Sequence, residues 1–345
     1  MNNKSRKIIF RVDGGRVYSV SLGHVFRCMA LAEELMLFSE FEVSFMMKDY
    51  EDGVKVVKDK GYNIQVIDKD MGIDDQIKII EAQCPGLVVF DLFEMEFVDL
   101  SILHDKGIKT VIIDDLGNKM INSNVLINGS IAEEMHQYFE KSDQTIYYIG
   151  PEYTILGSDF EKLPKRKIKK EVKQIMISMG GSDPTNLTVD IVNSLRNLNL
   201  SVKILIILGP ASQKEFEVTA TAEKGNCKFE VLRYVPNIAQ VMAESDIAIT
   251  AGGRMALELA ATGTPGIIIP SIEHEDIVSS KLEEVNAVIK IDNFSCAKES
   301  ELHDSIYKLV NEHELRVTMS RNCQNLIDGN GKSRVLKIIE DILYS

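Results

Sequence analysis

The sequence predicts an α/β protein built as two Rossmann-like domains facing across a cleft. Three observations carry that expectation. Short β-rich runs alternate with segments of helical apolar spacing, the pattern of a parallel sheet covered by helices. The alternation pauses over residues 151–173 and then restarts. At 345 residues the chain exceeds one average domain, so two are expected. The boundary falls after residue 155, giving domains 1–155 and 156–345.

In the first half, Lys7–Val12, Glu42–Met47, Ile64–Ile67, Leu87–Asp91, Thr110–Ile113 and Val125–Ile127 read as strands. Val25–Phe38, Gly53–Lys60 and Asp74–Gln83 read as helices. Aspartates follow several strands, at Asp13, Asp91, Asp114 and Asp115. They would stand at the carboxyl edge, where open α/β sheets bind ligands. In the join, the basic run from Lys165 to Lys170 reads as a solvated linker. Beyond it, Gln174–Ser178, Val202–Leu208, Lys228–Val231, Asp246–Thr250 and Gly266–Ile269 are strand candidates. Helices are expected over Asn186–Leu198, after Pro210, from Pro236 and over Arg254–Thr262. A loop over Pro270–Asp276 and further helical segments complete the chain.

Composition narrows the function. Apolar residues make up 45% and charged residues 26%, ordinary values for a globular protein. A net charge of −13 argues against a nucleic-acid binder with a general positive surface. No apolar run approaches the roughly 18 residues of a membrane span. The run Ile8-Ile9-Phe10 is cut by Arg11 and Asp13, as in a core strand rather than a signal peptide. The five scattered cysteines show no metal-ligand spacing and fit reduced thiols in a cytoplasmic protein.

Two kinds of turn carry chemistry. Gly23-His24, with Arg27 three residues on, reads as a glycine-flanked loop leading into a helix. An unperturbed imidazole is mostly neutral near pH 7 and can take a proton from water. A first-turn arginine such as Arg27 can equally pair with an aspartate such as Asp13. Gly252-Gly253 follows a strand and opens a helix, so backbone N–H groups there can meet a phosphate. Glu258 lies one helical turn and a little beyond, in reach of ribose hydroxyls, or else is a solvated first-turn glutamate. Gly180-Gly181-Ser182 repeats the glycine turn, with Ser182 or Asp183 as the alternative helix cap. Glu273 to Asp276 reads as an acidic helix N-terminus rather than a metal site.

With these residues assembled, the chain resembles the PseG/SpsG-type nucleotide-sugar hydrolases, related in fold to MurG-type GT-B glycosyltransferases. The resemblance covers most of the chain. It rests on Phe10–Asp13, Leu22–Ala32 with its Gly-His-x-x-Arg, Ile113–Asp115, Ser178–Asp183, Ala251–Gly253 with Glu258, and Gly263–Pro265. It implies inverting, metal-independent cleavage of a UDP-linked diacetamido-trideoxy sugar, releasing UDP and free sugar on the way to pseudaminic-type acids. No cofactor is implied. His24 would activate the water with Asp13 beside it. Gly23, Arg27, Asp91 and Asp115 are further substrate-binding candidates. Gly180, Gly181, Ser182, Gly252 and Gly253 would hold the diphosphate, Glu258 the ribose, and the backbone at Val235 the uracil.

The chain departs from that family at Ser21, where glycine is usual, and at Leu92-Phe93, where His-Tyr is usual. It departs again at Glu273–Asp276, where an Asn-Gln pair is usual. The last two positions would face the sugar. A glycosyltransferase with His24 activating an acceptor hydroxyl, and a non-catalytic nucleotide-sugar binding subunit, are the competing readings.

Overall fold

The branched and aromatic run Lys7–Val12 forms β1 of a seven-stranded sheet. After it come α1 (Leu22–Leu37), β2 (Glu42–Lys48), α2 (Glu51–Asp59), β3 (Asn63–Ile67), α3 (Ile73–Ala82) and β4 (Leu87–Asp91). A short pair, β5 (Val98–Asp99) with β7 (Ile121–Asn122), flanks α4 (Ser101–Asp105) and β6 (Lys109–Ile113). β8 (Val125–Asn128) and β9 (Ile146–Ile149) end the sheet, whose order is β3-β2-β1-β4-β6-β8-β9. The computed structural model describes residues 6–344 except 16–19, 21, 39, 94–97, 118–120, 139–143, 182, 184, 197, 199, 210–211, 213, 224–226, 234, 293 and 296–297.

A second sheet has the order β12-β11-β10-β13-β14-β15. Its elements are β10 (Gln174–Ser178), α5 (Leu187–Leu195), β11 (Lys203–Leu208), α6 (Glu215–Ala222), β12 (Lys228–Arg233), α7 (Ile238–Glu244), β13 (Ile247–Ala251), α8 (Arg254–Thr262), β14 (Gly266–Ile269), α9 (Glu273–Glu284) and β15 (Ile289–Lys290). Helices α10 (Glu299–Asn311), α11 (His313–Leu326) and α12 (Gly331–Tyr344) follow. Every pairing in both sheets is parallel.

Parallel strands covered on both faces need apolar residues at both parities. β1 shows this: Ile8, Phe10 and Val12 pack with Val25, Leu31 and Leu35 of α1. Ile9 faces the other way, with Ile77 and Ile80 of α3. In the second sheet, Ile175, Ile177, Ile247 and Ile249 pack with α5 and α10.

The chain divides into Met1–Ser158 with Asn330–Ser345, and Asp159–Gly329. Residues 330–345, expected in the second domain, therefore belong to the first. Val335, Leu336, Ile338 and Ile339 of α12 join the core that α1 covers. Lys332 Nζ meets Glu34 Oε1 at 2.6 Å and Ser158 Oγ at 2.8 Å. A Cβ on Gly331 would lie 2.1 Å from the Thr154 carbonyl oxygen, so the backbones approach there only with glycine.

Three local expectations also change. α1 starts at Leu22, so Gly23 and His24 lie in its first turn and not in a loop. α9 starts at Glu273, so the loop expected over Pro270–Asp276 ends earlier, while the helix N-terminus expected at Glu273–Asp276 is found there. Arg166 of the basic run is not solvated: it donates to the carbonyls of Met242 (3.1 Å) and Ser245 and to Thr264 Oγ1 (2.7 Å). Among the described residues, no helix is long and apolar enough to cross a membrane.

Candidate active site

Strand order reverses between β1 and β4 in the first sheet, which opens a crevice at their carboxyl ends. Val12 lies opposite Asp91 in the register. α1 leaves β1 at this point, and residues i and i+3 of a helix share a face. His24 and Arg27 consequently meet the same carboxylate. His24 Nδ1 lies 2.7 Å from Asp91 Oδ1, and Arg27 donates to Asp91 through Nε and Nη2, both at 2.5 Å. Arg27 Nη1 donates to Asp115 Oδ1 at 2.6 Å, and Cys28 Sγ lies 3.4 Å from Asp91 Oδ2.

The cluster is charge-coupled. Burial pushes the Asp91 carboxyl up, but Arg27 and His24 outweigh it and hold the group well below the usual carboxylate range. Asp115 is lowered likewise, against burial, chiefly by Arg27. Burial opposes the Arg27 charge, yet Asp115 and Asp91 raise its pKa well above the ordinary value. An ionised Asp91 accepts a proton-bearing Nδ1, which leaves the Nε2 lone pair of a neutral His24 as the basic atom. Among the described residues, nothing hydrogen-bonds Nε2. The Phe93 ring stands edge-on to His24, centroids 6.2 Å apart.

Asp13 has a different environment. Its two oxygens take a paired donation from Arg11 at 2.7 and 2.8 Å, and Oδ1 also accepts the Lys48 N–H at 2.7 Å. Asp91, not Asp13, hydrogen-bonds His24, and Arg27 pairs with Asp91 and Asp115 rather than with Asp13. The full donor fork of Arg27 is spent inside the cluster.

In the second sheet the reversal lies between β10 and β13. The Gly180-Gly181 turn follows β10, and Gly252-Gly253 follows β13, so both glycine turns flank that crevice. Gly180 has φ +81°, and a Cβ on Gly209, after β11, would lie 2.3 Å from the Gly180 carbonyl oxygen. Asp183 Oδ1 and Oδ2 accept the N–H groups of Leu187 and Thr188 at 2.9 and 3.0 Å, capping α5. Asp183→Ala is therefore expected to cost about 1 kcal/mol of stability in urea unfolding. Ser182 lies outside the described residues.

The Gly252-Gly253 turn opens α8 and is pressed by the first two turns of α9. A Cβ on Gly252 would lie 2.5 Å from Ser279 Oγ, and one on Gly253 2.8 Å from Glu275 Oε1. Glu275 Oε2 is fixed by the Ser271 N–H and hydroxyl, both at 2.8 Å. Glu258 is buried, not solvated, and accepts from Arg254 Nε at 2.8 Å. Burial raises its carboxyl pKa, with Arg254 opposing. Val235, half-buried, follows β12 at the same carboxyl edge, and its neighbour Tyr234 lies outside the described residues.

The crystal structure of MurG from Acinetobacter baumannii superposes with a TM-score of 0.69 over 97% of this chain and 99% of that one, at 15% identity. The chain has the GT-B fold. The glycosyltransferase family 28 C-terminal domain matches residues 175–338, most of the second unit and the start of α12. An uncharacterised protein of Methanocaldococcus jannaschii is 30% identical over 279 residues; the match covers 76% of this chain and 55% of that relative, so this chain spans about half its length. The spore coat polysaccharide biosynthesis protein SpsG of Bacillus subtilis is 24% identical over 96% of both chains. The Helicobacter pylori pseudaminic acid cytidylyltransferase and UDP-2,4-diacetamido-2,4,6-trideoxy-beta-L-altropyranose hydrolase is 25% identical over 57% of this chain and 36% of its own.

The sequence singled out every member of the His24 cluster except Cys28, but assigned Asp91 and Arg27 to the substrate instead of to His24. The parallel β1–β4 pairing that joins them has no short-range signature.

Proposed function

We propose that this GT-B protein hydrolyses a UDP-activated diacetamido-trideoxy sugar at the anomeric carbon. The observation that carries the reading is the His24–Asp91 pair locked by Arg27. His24 Nε2 takes a proton from water as the water oxygen bonds to the anomeric carbon. The bond from that carbon to the diphosphate oxygen breaks, and its electron pair leaves with UDP. The sugar departs free and inverted. Asp91 holds the imidazole in the required tautomer and faces the positive charge that forms on it.

The second unit supplies the nucleotide site. Backbone N–H groups at the start of α8, a helix of nine residues, and at the Gly180-Gly181 turn take the diphosphate. Glu258 takes the ribose hydroxyls and Val235 the base. The relative from Helicobacter pylori, whose name includes a UDP-sugar hydrolase, supports water as the acceptor. The glycosyltransferase domain match and the MurG likeness favour a second reading, in which an acceptor hydroxyl replaces water at His24.

A panel of nucleotide sugars, assayed by mass for released nucleotide, separates them. Release in buffer alone supports hydrolysis; release only with an added acceptor supports transfer. Glu258→Gln is expected to weaken UDP binding about tenfold in calorimetry, because a charged hydrogen-bond acceptor becomes neutral. Unchanged affinity would remove Glu258 from the site.

A further inference from the structure

Residues 165–168 run along one face of α11, and the two form a cavity of about 140 Å³. On α11 the wall is Val317, Ser320, Arg321 and Gln324, spaced i, i+3, i+4 and i+7; Lys165 and Arg166 stand on the other side. The lining carries three cationic side chains and no carboxylate, in a chain of net charge −13. Ser320 is 3% exposed, and its hydroxyl hydrogen-bonds no described residue. Arg321 forms no ion pair among the described residues, and Lys165 reaches only Asn325, at 3.5 Å.

Arg166 is the unusual member. Its guanidinium meets two carbonyls and a hydroxyl but no carboxylate, and its buried Nε has no hydrogen-bond partner among the described residues. Burial draws its pKa down to about 10, with Asp246 acting in the opposite direction. Asp246 is itself engaged by the N–H groups of Lys173 and Gln174 and by Lys169. The positive charge at this wall is therefore poorly compensated from within the chain.

We propose that this cavity binds a phosphate group, free or carried on a small metabolite. A tetrahedral oxyanion accepts from Ser320, Arg321 and Lys165 and brings negative charge beside Arg166. The volume suits such a group and not a nucleotide. The site is separate from the glycine turns. It lies by the C-terminal end of α8, where a Cβ on Gly263 would be 3.0 Å from Ser320 Oγ, about 15 Å along the helix from Gly253. Binding to the native state alone stabilises the second unit.

Calorimetry with inorganic phosphate, and separately with glycerol 3-phosphate, at fixed ionic strength tests this. Saturable binding of either is expected, weakened at least about tenfold in Ser320→Ala and in Arg321→Ala. Both variants should keep the wild-type unfolding midpoint when phosphate is absent. Binding of inorganic phosphate alone identifies the free ion; binding of both identifies the phosphate group as what is recognised. No binding by the wild type overturns the proposal. So does undiminished binding in both variants, which would place the anion elsewhere, such as at the glycine turns.

Discussion

Replacing His24 with alanine should lower turnover by about 10²- to 10⁴-fold, the contribution of a positioned general base. UDP affinity should stay within a few-fold, because the groups proposed to hold the nucleotide belong to the second unit. Asp91→Asn should produce a loss of similar size while His24 remains in place. An asparagine amide can donate to Nδ1, which would put the proton on Nε2 and remove the basic lone pair. Steady-state rates and UDP calorimetry on both variants check this. Full activity in His24→Ala would make the histidine structural.

Removing Arg27 should have the largest effect on stability. Asp91 is wholly buried and Asp115 is 25% exposed, and both depend on this one guanidinium. Taking away one partner of a buried ion pair leaves an uncompensated charge, a cost of about 3–5 kcal/mol. Arg27→Lys should recover only part of it, since an ammonium cannot reproduce the fork to two carboxylates.

The pH dependence follows from the directions of the shifts. Both aspartates titrate below their unfolded values in the native protein. Their contribution is therefore fully present above the unfolded value of about 4, and it is lost as pH falls through the folded values. In Arg27→Ala the buried carboxylates instead prefer the protonated form. The gap between wild type and variant should be widest near neutrality and narrow as pH falls through the carboxylate range. Denaturant unfolding at pH 7 and pH 4 measures it. A gap that is the same at both values would mean that Arg27 stabilises by packing rather than by charge.

Much of this architecture is legible in the chain. Both faces of each central strand are apolar, so the runs stand out, and the aspartates that end them mark the ligand edge. What escaped was long-range. Gly23 lowers helix propensity at the point where α1 begins, so the apolar pattern alone starts the helix at Val25. Starting at Leu22 brings His24 and Arg27 onto one face. Asp13 is near His24 in sequence, but Arg11 claims it, and the β1–β4 register delivers Asp91 instead.

Helix α12 shows the same limit. Its apolar spacing marks a buried face without specifying which core receives it, and the contacts of Gly331 and Lys332 with the first unit decide that. Arg166 looks like one more cation in a solvated run. Only the fold reveals the carbonyls it straps and the cavity beside it.

If water attacks the anomeric carbon and the sugar–oxygen bond breaks, UDP keeps its own oxygens. Turnover of a UDP-linked diacetamido-trideoxy sugar in ¹⁸O-water, with the mass of released UDP as the readout, tests it most directly. The phosphate oxygens do not exchange with solvent on this timescale, whereas the anomeric oxygen of the free sugar does, so UDP is the product to weigh. Free sugar and unlabelled UDP are expected without any added acceptor. Label in UDP, or no UDP until an acceptor is supplied, would contradict this cleavage.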